Sequence, residues 1–158
     1  MKAGIILGHH NYPSNESSMI RSAEAFGINH AFIVGERRDN YRIAQGADDH
    51  ITFISFDTDD ELINYLAKSD HSIVAIENCE RSVPIEEKEE YPVNPVFISG
   101  NEGYGVPENF IDAADDVVKI TQSVNSYIRC LNTTISASIV MHDWFETRYN
   151  RDKLQYYD

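Results

Sequence analysis

A short apolar run followed by a glycine-rich turn constrains the fold of this chain most. Residues 96–98 are β-forming and apolar, and Gly100, Gly103 and Gly105 follow them. Such a run is typical of a strand buried on both faces of a parallel sheet. Glycines let the backbone turn sharply and let a ligand approach closely, and Pro107 then favours a helix start. The stretch predicts a ligand site at the carboxyl end of a parallel strand, although an ordinary strand-to-helix turn fits the same residues.

Along the rest of the chain, apolar runs alternate with segments of helical spacing. The predicted strands cover residues 3–7, 31–34, 51–54, 72–76, 96–98 and 117–120. The predicted helices cover residues 19–26, 62–66 and 107–113, and a final helix carries Ile135, Ile139, Val140, Trp144 and Phe145 on one side. Asn15 and Thr58 are predicted helix caps, and residues 79–94 a polar, acidic connection. Strands separated by helices favour an α/β fold with a parallel six-stranded sheet and helices on both faces.

Length and composition are those of one globular domain. A chain of 158 residues with a hydrophobic share of 42% can bury a core, and without an internal repeat residues 1–158 are expected to form a single domain. No apolar run reaches membrane-spanning length, and residues 1–7 are too short for a signal peptide. Cys79 and Cys130 are too few for a disulfide framework, which favours the cytoplasm.

The net charge of −13 argues at first against a polyanionic partner, but the charge is unevenly distributed. Residues 48–118 carry three Lys or Arg and eighteen Asp or Glu, whereas residues 1–47 and 119–158 each carry one net positive charge. Acidic runs such as residues 57–61 and 86–90 are typical of solvated faces and helix caps. The two ends of the chain therefore remain able to bind a polyanion if the fold brings them together.

Three separated stretches resemble the motifs of one enzyme family. Residues 15–27 resemble Asn-x-Gly-x-x-x-Arg-x-Ala-x-x-Phe-Gly, and residues 100–105 match Gly-x-Glu-x-x-Gly. Residues 120–141 are similar to Ile-Pro…Ser-Leu-Asn-x-x-x-Ala. In this order the motifs are similar to those of the SpoU/TrmH family of RNA ribose 2′-O-methyltransferases. The chain departs from them at three positions, with Ser17 for Gly, Thr121 for Pro and Cys130 for Ser.

The resemblance implies a fold, a cofactor and partners. The fold would be the SPOUT-type α/β knot, in which the carboxyl-terminal segment threads a loop to form a deep trefoil. The family binds S-adenosylmethionine without a metal and forms homodimers through the knot region. The substrate would be RNA, with tRNA favoured by analogy and rRNA as the other possibility. Because no RNA-binding domain is added, the dimer itself or an auxiliary protein would provide the RNA surface.

The resemblance also assigns residues to the site. Contacts with the cofactor fall to Ile76, Gly100, Gly105, Ile120, Cys130 and Leu131, and catalytic roles fall to Arg21, Asn15, Glu102 and Asn132. Arg21 would grip a phosphate and stabilise a developing alkoxide, because guanidinium rarely loses its proton. Glu102 is expected to accept a hydrogen bond from Asn15 or Arg21, and Asn132 to cap the last helix. A surface arginine paired with Glu16 or Glu24 is the alternative for Arg21, and a small buried hydrophobe the favoured alternative for Cys130.

Other arginines and other functions stay open at this point. Arg37, Arg38 and Arg42 would extend a basic strip for RNA, and Arg129, beside the cofactor segment, would bind a phosphate; solvated surface arginines are the alternative. The runner-up function is a catalytically inactive knotted dimer that acts as an RNA- or protein-binding scaffold. A flavodoxin-like nucleotide-binding protein is a third hypothesis, and it predicts a monomer with an unthreaded last helix.

Overall fold

A parallel sheet of seven strands forms the centre of the fold, in a computed structural model that describes residues 2–37, 42–128 and 130–154. The strands are β1 (Gly4–Leu7), β2 (His30–Val34), β3 (Thr52–Phe56), β4 (Ser72–Ile76), β5 (Val83–Pro84), β6 (Pro95–Ser99) and β7 (Asp116–Lys119). They lie in the order β3-β2-β1-β6-β4-β7-β5, and every neighbouring pair runs parallel. All residues of β1 and β6 are buried, which explains their nearly continuous apolar sequences. The predicted α/β class with a parallel sheet is confirmed.

Helices cover both faces of this sheet, as predicted. The described residues include α1 (Pro13–Ala25), α2 (Asp59–Ala67), α3 (Glu108–Ala113) and α4 (Thr133–Leu154), with 3₁₀ turns at Arg42–Ala44, Ala47–His50 and Ile85–Glu87. The helices α1 and α4 pack on one face through residues such as Ile20 and Val140. The helices α2 and α3 pack on the other face through Leu62 and Phe110. Alternate side chains of each central strand enter the two resulting cores.

The predicted count of six strands is wrong by one. The short strand β5 adds a seventh at the edge of the sheet, where Val83 pairs with Val118 of β7. Two residues are too few to show a pattern of alternating side chains, and Pro84 is more typical of a turn than of a strand. Proline fits here because an edge strand leaves some N–H groups without a ladder partner.

The starts of the first two long helices follow different signals. The Thr58 hydroxyl accepts a hydrogen bond from the backbone N–H of Glu61 at 3.3 Å, which confirms Thr58 as the cap of α2. The helix α1 begins earlier than predicted, with Tyr12 as its N-cap, so the prediction that Asn15 caps it is wrong. Pro13 preorganises the first helical turn through its fixed φ. The side chain of Asn15 is thereby available for contacts outside the helix.

The last helix has two apolar sides. Its buried side packs on the sheet through Ala137, Val140, Met141 and Trp144. Ile135 is 53% exposed, and Ile139 and Phe145 are also exposed. The prediction that these three residues lie on one side of the helix with Val140 and Trp144 is therefore wrong, because positions one turn apart at 135 and 139 form a separate stripe. We call Ile135, Ile139 and Phe145 the exposed stripe of α4.

The acidic connection between β4 and β6 is held against α4 by one aromatic residue. Tyr91 is buried, and its ring lies edge-on to Phe97 of β6 at a centroid distance of 6.4 Å. Its hydroxyl donates a hydrogen bond to Asp143 Oδ2 at 2.7 Å. Burial, together with this bond to a carboxylate, raises the pKa of Tyr91, so the phenol keeps its proton and remains a donor. The contact joins residues 77–94 to the last helix.

Replacing Tyr91 by Phe is expected to lower the free energy of unfolding by about 1–2 kcal/mol, since the ring stays and only a hydrogen bond to a carboxylate is lost. Urea denaturation followed by circular dichroism measures the change. The control, Tyr65→Phe, removes an exposed hydroxyl of α2 and is expected to change stability by less than ~0.5 kcal/mol. Equal stability of the wild type and Tyr91→Phe would contradict the proposed tie between the connection and α4.

Candidate functional site

A cavity of about 500 Å³ opens at the carboxyl ends of β4, β6 and β7. Its wall contains all six residues predicted to contact a cofactor, namely Ile76, Gly100, Gly105, Ile120, Cys130 and Leu131. These residues come from the end of β4 and from the loops after β6 and β7, which are far apart in the sequence and adjacent in the sheet. The volume is typical of a site for a small organic ligand. The structure thus brings the six residues together, and their contacts with a cofactor stay a prediction.

The glycine-rich turn after β6 is a braced loop. The backbone of Asn101 exchanges two hydrogen bonds with that of Gly105, with N–H to O distances of 2.8 and 3.0 Å. The side chain of Asn101 accepts a further bond from the N–H of Gly103 at 2.7 Å. A Cβ at Gly100 would lie 2.5 Å from the backbone of Gly105, so this position accepts no larger residue. The loop therefore presents main-chain groups to the cavity in a fixed arrangement.

Three of the four residues predicted to be catalytic form one chain of hydrogen bonds beside the cavity. The side-chain amide of Asn15 donates to Glu102 Oε1. The amide of Asn132 in turn donates to Asn15 Oδ1 at 3.5 Å. The expectation that Glu102 accepts from Asn15 is confirmed. The chain links the start of α1, the glycine-rich loop and the start of α4.

The start of α4 is fixed by hydrogen bonds of the side chains of Asn132 and Thr133. Asn132 Oδ1 accepts from the backbone N–H groups of Thr134 at 2.9 Å and Ile135 at 3.3 Å, which confirms Asn132 as the cap of this helix. The hydroxyl of Thr133 donates to the carbonyl of Gly100 at 2.7 Å. The first turn of α4 is therefore fixed directly to the glycine-rich loop.

Glu102 is held as an anion. Partial desolvation raises the pKa of its carboxyl group, but hydrogen bonds from the backbone N–H of Asn11 and from the amide of Asn15 outweigh this and hold the pKa below its ordinary value. The bond from Asn11 measures 3.0 Å. A carboxylate with a lowered pKa and two donors is a poor proton acceptor and a good anchor for neighbouring loops.

Arg21 lies apart from this group. It is exposed on α1, and the described residues that form the cavity wall do not include it. The next residue along the helix, Ser22, lines a second groove between α1 and α4. Glu16, one of the two proposed ion-pair partners of Arg21, is buried and accepts a hydrogen bond from the N–H of Gly8 at 3.2 Å. The structure thus does not join Arg21 to the cavity of its own chain.

The other predicted residues have mixed outcomes. The guanidinium of Arg37 lies over the ring of Phe53, with its carbon 3.8 Å from the ring centre. Arg38 and Arg129 lie outside the described residues, as does the side chain of Arg42. Cys130 is exposed in the cavity wall, so its interpretation as a small buried hydrophobe is wrong. Apolar character alone predicted burial there, whereas the loop places the thiol at a ligand-sized opening.

Three further residues that shape the cavity were not predicted to belong to the site. Glu77, Asn101 and Thr133 lie in its wall, and Asn101 also braces the glycine-rich loop. Glu77 follows the predicted strand of residues 72–76, and a polar residue at the carboxyl end of a parallel strand was the available signal. Thr133 and Asn101 adjoin predicted site residues, and no pattern in the sequence distinguishes them from ordinary loop residues.

Two absences complete the description. Within residues 2–37, 42–128 and 130–154, no helix has both the length and the hydrophobicity needed to cross a membrane. In the same part of the chain, no three His, Cys, Asp or Glu side chains are grouped as a metal site would require.

The adjacent His9 and His10 contact different partners, with His9 Nε2 3.0 Å from Asp59 Oδ1 and His10 Nε2 3.3 Å from the Ser99 hydroxyl.

The sequence places this chain in a known family. Residues 2–142 match the profile of the SpoU rRNA Methylase family. The chain belongs to that family. The resemblance carried by the three motifs is thereby confirmed. No curated protein matches the sequence of this SpoU family member.

Solved structures share the fold at low sequence identity. An AdoMet-bound rRNA methyltransferase from Sinorhizobium meliloti gives a TM-score of 0.79 at 22% identity, over 90% of this chain and 55% of that one. A TrmH/SpoU tRNA modifying enzyme from A. aeolicus gives a TM-score of 0.80 at 20% identity, over 96% of this chain and 78% of that one. A structure whose description refers to the 2-OH methylation of C/U34 on tRNA gives a TM-score of 0.75 at 15% identity, over 94% of this chain and 97% of that one. The SpoU chain thus spans little more than half the length of the Sinorhizobium protein.

The anionic state of Glu102 predicts a pH effect on stability. Because its folded pKa is lowered, its contribution is present above the ordinary value of about 4.3 and is lost as the pH falls through the folded value. Glu102→Gln cannot ionise. The difference in unfolding free energy between the wild type and this variant is therefore expected to be constant above about pH 5 and to shrink toward pH 3.

Urea denaturation at several pH values measures that difference. Glu80→Gln, a change at an exposed carboxylate, is the matched control and is expected to show a much smaller difference at every pH. A difference for Glu102→Gln that is zero at neutral pH, or that does not shrink in acid, would contradict the anchoring role of the carboxylate.

Proposed function

We propose that this chain transfers a methyl group from S-adenosylmethionine to the 2′-hydroxyl of a ribose in RNA, with tRNA as the substrate class. The observation that carries the proposal is the meeting of all three family motifs at one place. The second and third motifs contribute to the cavity wall, and Asn15 of the first is hydrogen-bonded to Glu102. The carboxyl edge of a parallel sheet is where α/β proteins bind their ligands.

The wall of the cavity fits a methyl donor of this kind. Ile76, Ile120 and Leu131 offer apolar contacts for a purine, and the glycine-rich loop offers main-chain groups for its polar edge. A volume of about 500 Å³ suits a ligand of that size. When bound, S-adenosylmethionine supplies a methyl group on a positively charged sulfur. The proposed work of the wall residues is to hold this molecule and keep water from it.

Arg21 is proposed to act on the RNA. Its guanidinium stays protonated and presents a planar fork of donors, which suits a phosphate next to the target ribose and an oxygen that gains negative charge. Asn15, Glu102 and Asn132 are proposed to keep the loops in register around the reacting hydroxyl. Arg37, Arg38 and Arg129 are proposed as further phosphate contacts.

The choice of tRNA rests on the structural neighbours. The neighbour described by 2-OH methylation on tRNA is covered over 97% of its length, so its extent is close to that of this chain. The A. aeolicus neighbour is described as a tRNA modifying enzyme. The family description names rRNA, which is the second substrate candidate.

We propose a homodimer because Arg21 and the cavity lie apart in one chain. A groove of about 450 Å³ runs between α1 and α4, and its wall includes Ile135 and Ile139 of the exposed stripe of α4. Exposed apolar residues beside a groove are typical of a contact between proteins. Arg21 precedes Ser22 of the same groove. A second copy packed there would bring its Arg21 toward the cavity of the first.

Strand order supports a knot at the carboxyl-terminal end. The chain runs from β4 to β5 and back to β6 before β7 is formed, yet β7 lies between β4 and β5. After β7 the chain must reach the start of α4, which is bonded to Gly100 on the side of β6. We propose that this segment passes through the loop of residues 77–94, which Tyr91 holds in place.

Methyl transfer to RNA tests the proposed activity. We expect the purified chain, given labelled S-adenosylmethionine and unmodified tRNA, to release a 2′-O-methylated nucleoside after complete digestion. Arg21→Ala is expected to lower kcat/KM by about 100-fold or more, as for loss of a donor to developing charge, and Arg21→Lys by less. Lys68→Ala, which removes an exposed cation directly after α2, should leave the rate unchanged.

Three results would contradict this proposal. A label found on a base would exclude ribose as the target, and transfer to rRNA alone would exclude tRNA. Tight binding of S-adenosylmethionine without transfer to either RNA would favour the scaffold alternative.

If transfer to RNA is found, a map of ribose methylation in cells with and without the gene would identify the modified nucleotide.

The dimer has its own test. Ile135→Asp with Ile139→Asp places two charges in the groove between α1 and α4, and is expected to produce a folded monomer that no longer transfers methyl groups. Sedimentation velocity measures the mass. Val93→Asp, at a 70% exposed position in the acidic connection, is the control and should stay dimeric and active. A wild-type monomer with full activity would contradict the proposal.

A further inference from the structure

We propose that Glu77 is a positioning residue of the cavity, which holds the glycine-rich loop at the distance from β4 that the methyl donor requires. The inference rests on the function proposed above, because it concerns the same cavity. Glu77 has no role in the assigned motifs, and its side chain lies in the wall directly after Ile76. Its carboxylate is hydrogen-bonded to the backbone of two loops, and such bonds fix the positions of those loops relative to each other.

Both carboxylate oxygens of Glu77 accept backbone hydrogen bonds. Oε2 accepts from the N–H of Val106 at 2.9 Å, which joins the loop after β4 to the end of the glycine-rich loop. Oε1 accepts from the N–H of Asn78 at 2.8 Å. Hydrogen bonds to an ionised acceptor are stronger than those between neutral groups. The side chain thus acts as a bracket between the loop after β4 and the glycine-rich loop after β6.

The backbone of Glu77 fixes the third side of the cavity. Its N–H donates to the carbonyl of Val118 in β7 at 3.0 Å. One residue therefore joins the carboxyl ends of β4 and β7 through its main chain and reaches the β6 loop through its side chain. These are the three strands whose loops carry the residues predicted to contact the cofactor.

Gly105 supplies the space that the bracket needs. A Cβ at this position would overlap the Glu77 carboxylate, and the backbone has a φ of +76° that disfavours other residues. The third glycine of the turn is therefore matched to the glutamate that lies against it. This pairing accounts for Gly105 without any contact to a ligand.

The bracket is expected to act on binding affinity more than on folding. The cores on both faces of the sheet do not include Glu77. A loop that is already held in its binding conformation loses less entropy when the ligand arrives. Removing the bracket should therefore weaken the binding of the donor and of its product equally, since both use the same loop.

Isothermal titration with S-adenosylmethionine and with S-adenosylhomocysteine tests this inference. Glu77→Ala is expected to weaken both ligands by the same factor, about tenfold or more, which corresponds to the loss of a hydrogen bond to a charged group. Glu77→Gln keeps one acceptor oxygen and should lie between Ala and the wild type. The KM for RNA should stay unchanged, while that for S-adenosylmethionine rises.

A double-mutant cycle with Gly105→Ala isolates the pair. The backbone strain of the alanine acts equally in both backgrounds, so it cancels from the coupling. If Gly105→Ala works by displacing the carboxylate, its effect on affinity in the Glu77→Ala background should be clearly smaller than in the wild type. Strictly additive effects would overturn the inference. Glu80→Ala, at the exposed carboxylate three residues further on, is the control and should bind both ligands normally.

The remaining outcomes are also decisive. Normal affinity of Glu77→Ala for both ligands, even with a lowered melting temperature, would show a purely structural role and overturn the inference alone. Weakened binding of S-adenosylmethionine with normal binding of S-adenosylhomocysteine would mean that Glu77 acts by its charge on the sulfonium, and would overturn positioning. A wild-type chain that binds neither ligand would overturn both the proposed function and this inference.

Discussion

Hydrogen bonds between a few side chains and loop backbone hold together the loops at the carboxyl ends of β4, β6 and β7, where the cavity lies. Where parallel strands end, main-chain N–H and C=O groups lose their ladder partners and need others. Asn101 satisfies the N–H of Gly103 and the carbonyl of His9. Glu77 and Asn132 do the same for the adjacent loops. The loops that form the cavity are thus fixed by side-chain hydrogen bonds as well as by the strands that they follow.

This way of building a site explains its polar and apolar parts. The strand β4 ends in Ile76, which belongs to the core, whereas β6 and β7 end in Ser99 and Lys119, so the cavity is lined by both apolar and polar strand ends. The loop after β6 is short and rich in glycine, so it exposes main chain rather than side chains. The charged residues of the wall include Glu77, whose carboxylate is bonded to loop backbone, and the exposed Glu102, which is anchored by Asn11 and Asn15. Such a site suits a ligand with a flat apolar part and polar edges.

The uneven charge of the chain is consistent with a division between its middle and its ends. The acidic segments of residues 48–118 include α2 and the connection after β4. The proposed RNA contacts lie in residues 1–47 and 119–158, which have a small positive net charge. A polyanion is therefore expected to approach Arg21 and the other arginines of the chain ends, beside the groove that a second copy is proposed to cover, and to avoid the acidic face.

Much of the fold could be predicted from local pattern. Buried strands such as residues 72–76 and the Thr58 cap have unambiguous signals. The strand at Val83 is too short for any pattern. Asn15 has the side chain of a typical cap, but Pro13 favours a helix start two residues earlier. At the site, the family motifs predicted six residues that the fold places in the cavity wall. Glu77 was missed because its role depends on Val106, a residue far along the chain that only the tertiary fold brings near.

Hydrogen–deuterium exchange of the chain with and without S-adenosylmethionine tests the central claim most directly, because it reports which loops the ligand orders. The account predicts added protection in the loops after β4, β6 and β7 and at the start of α4, with β2, β3 and α2 unchanged. Protection confined to the groove between α1 and α4, or unchanged exchange throughout at saturating ligand, would contradict it.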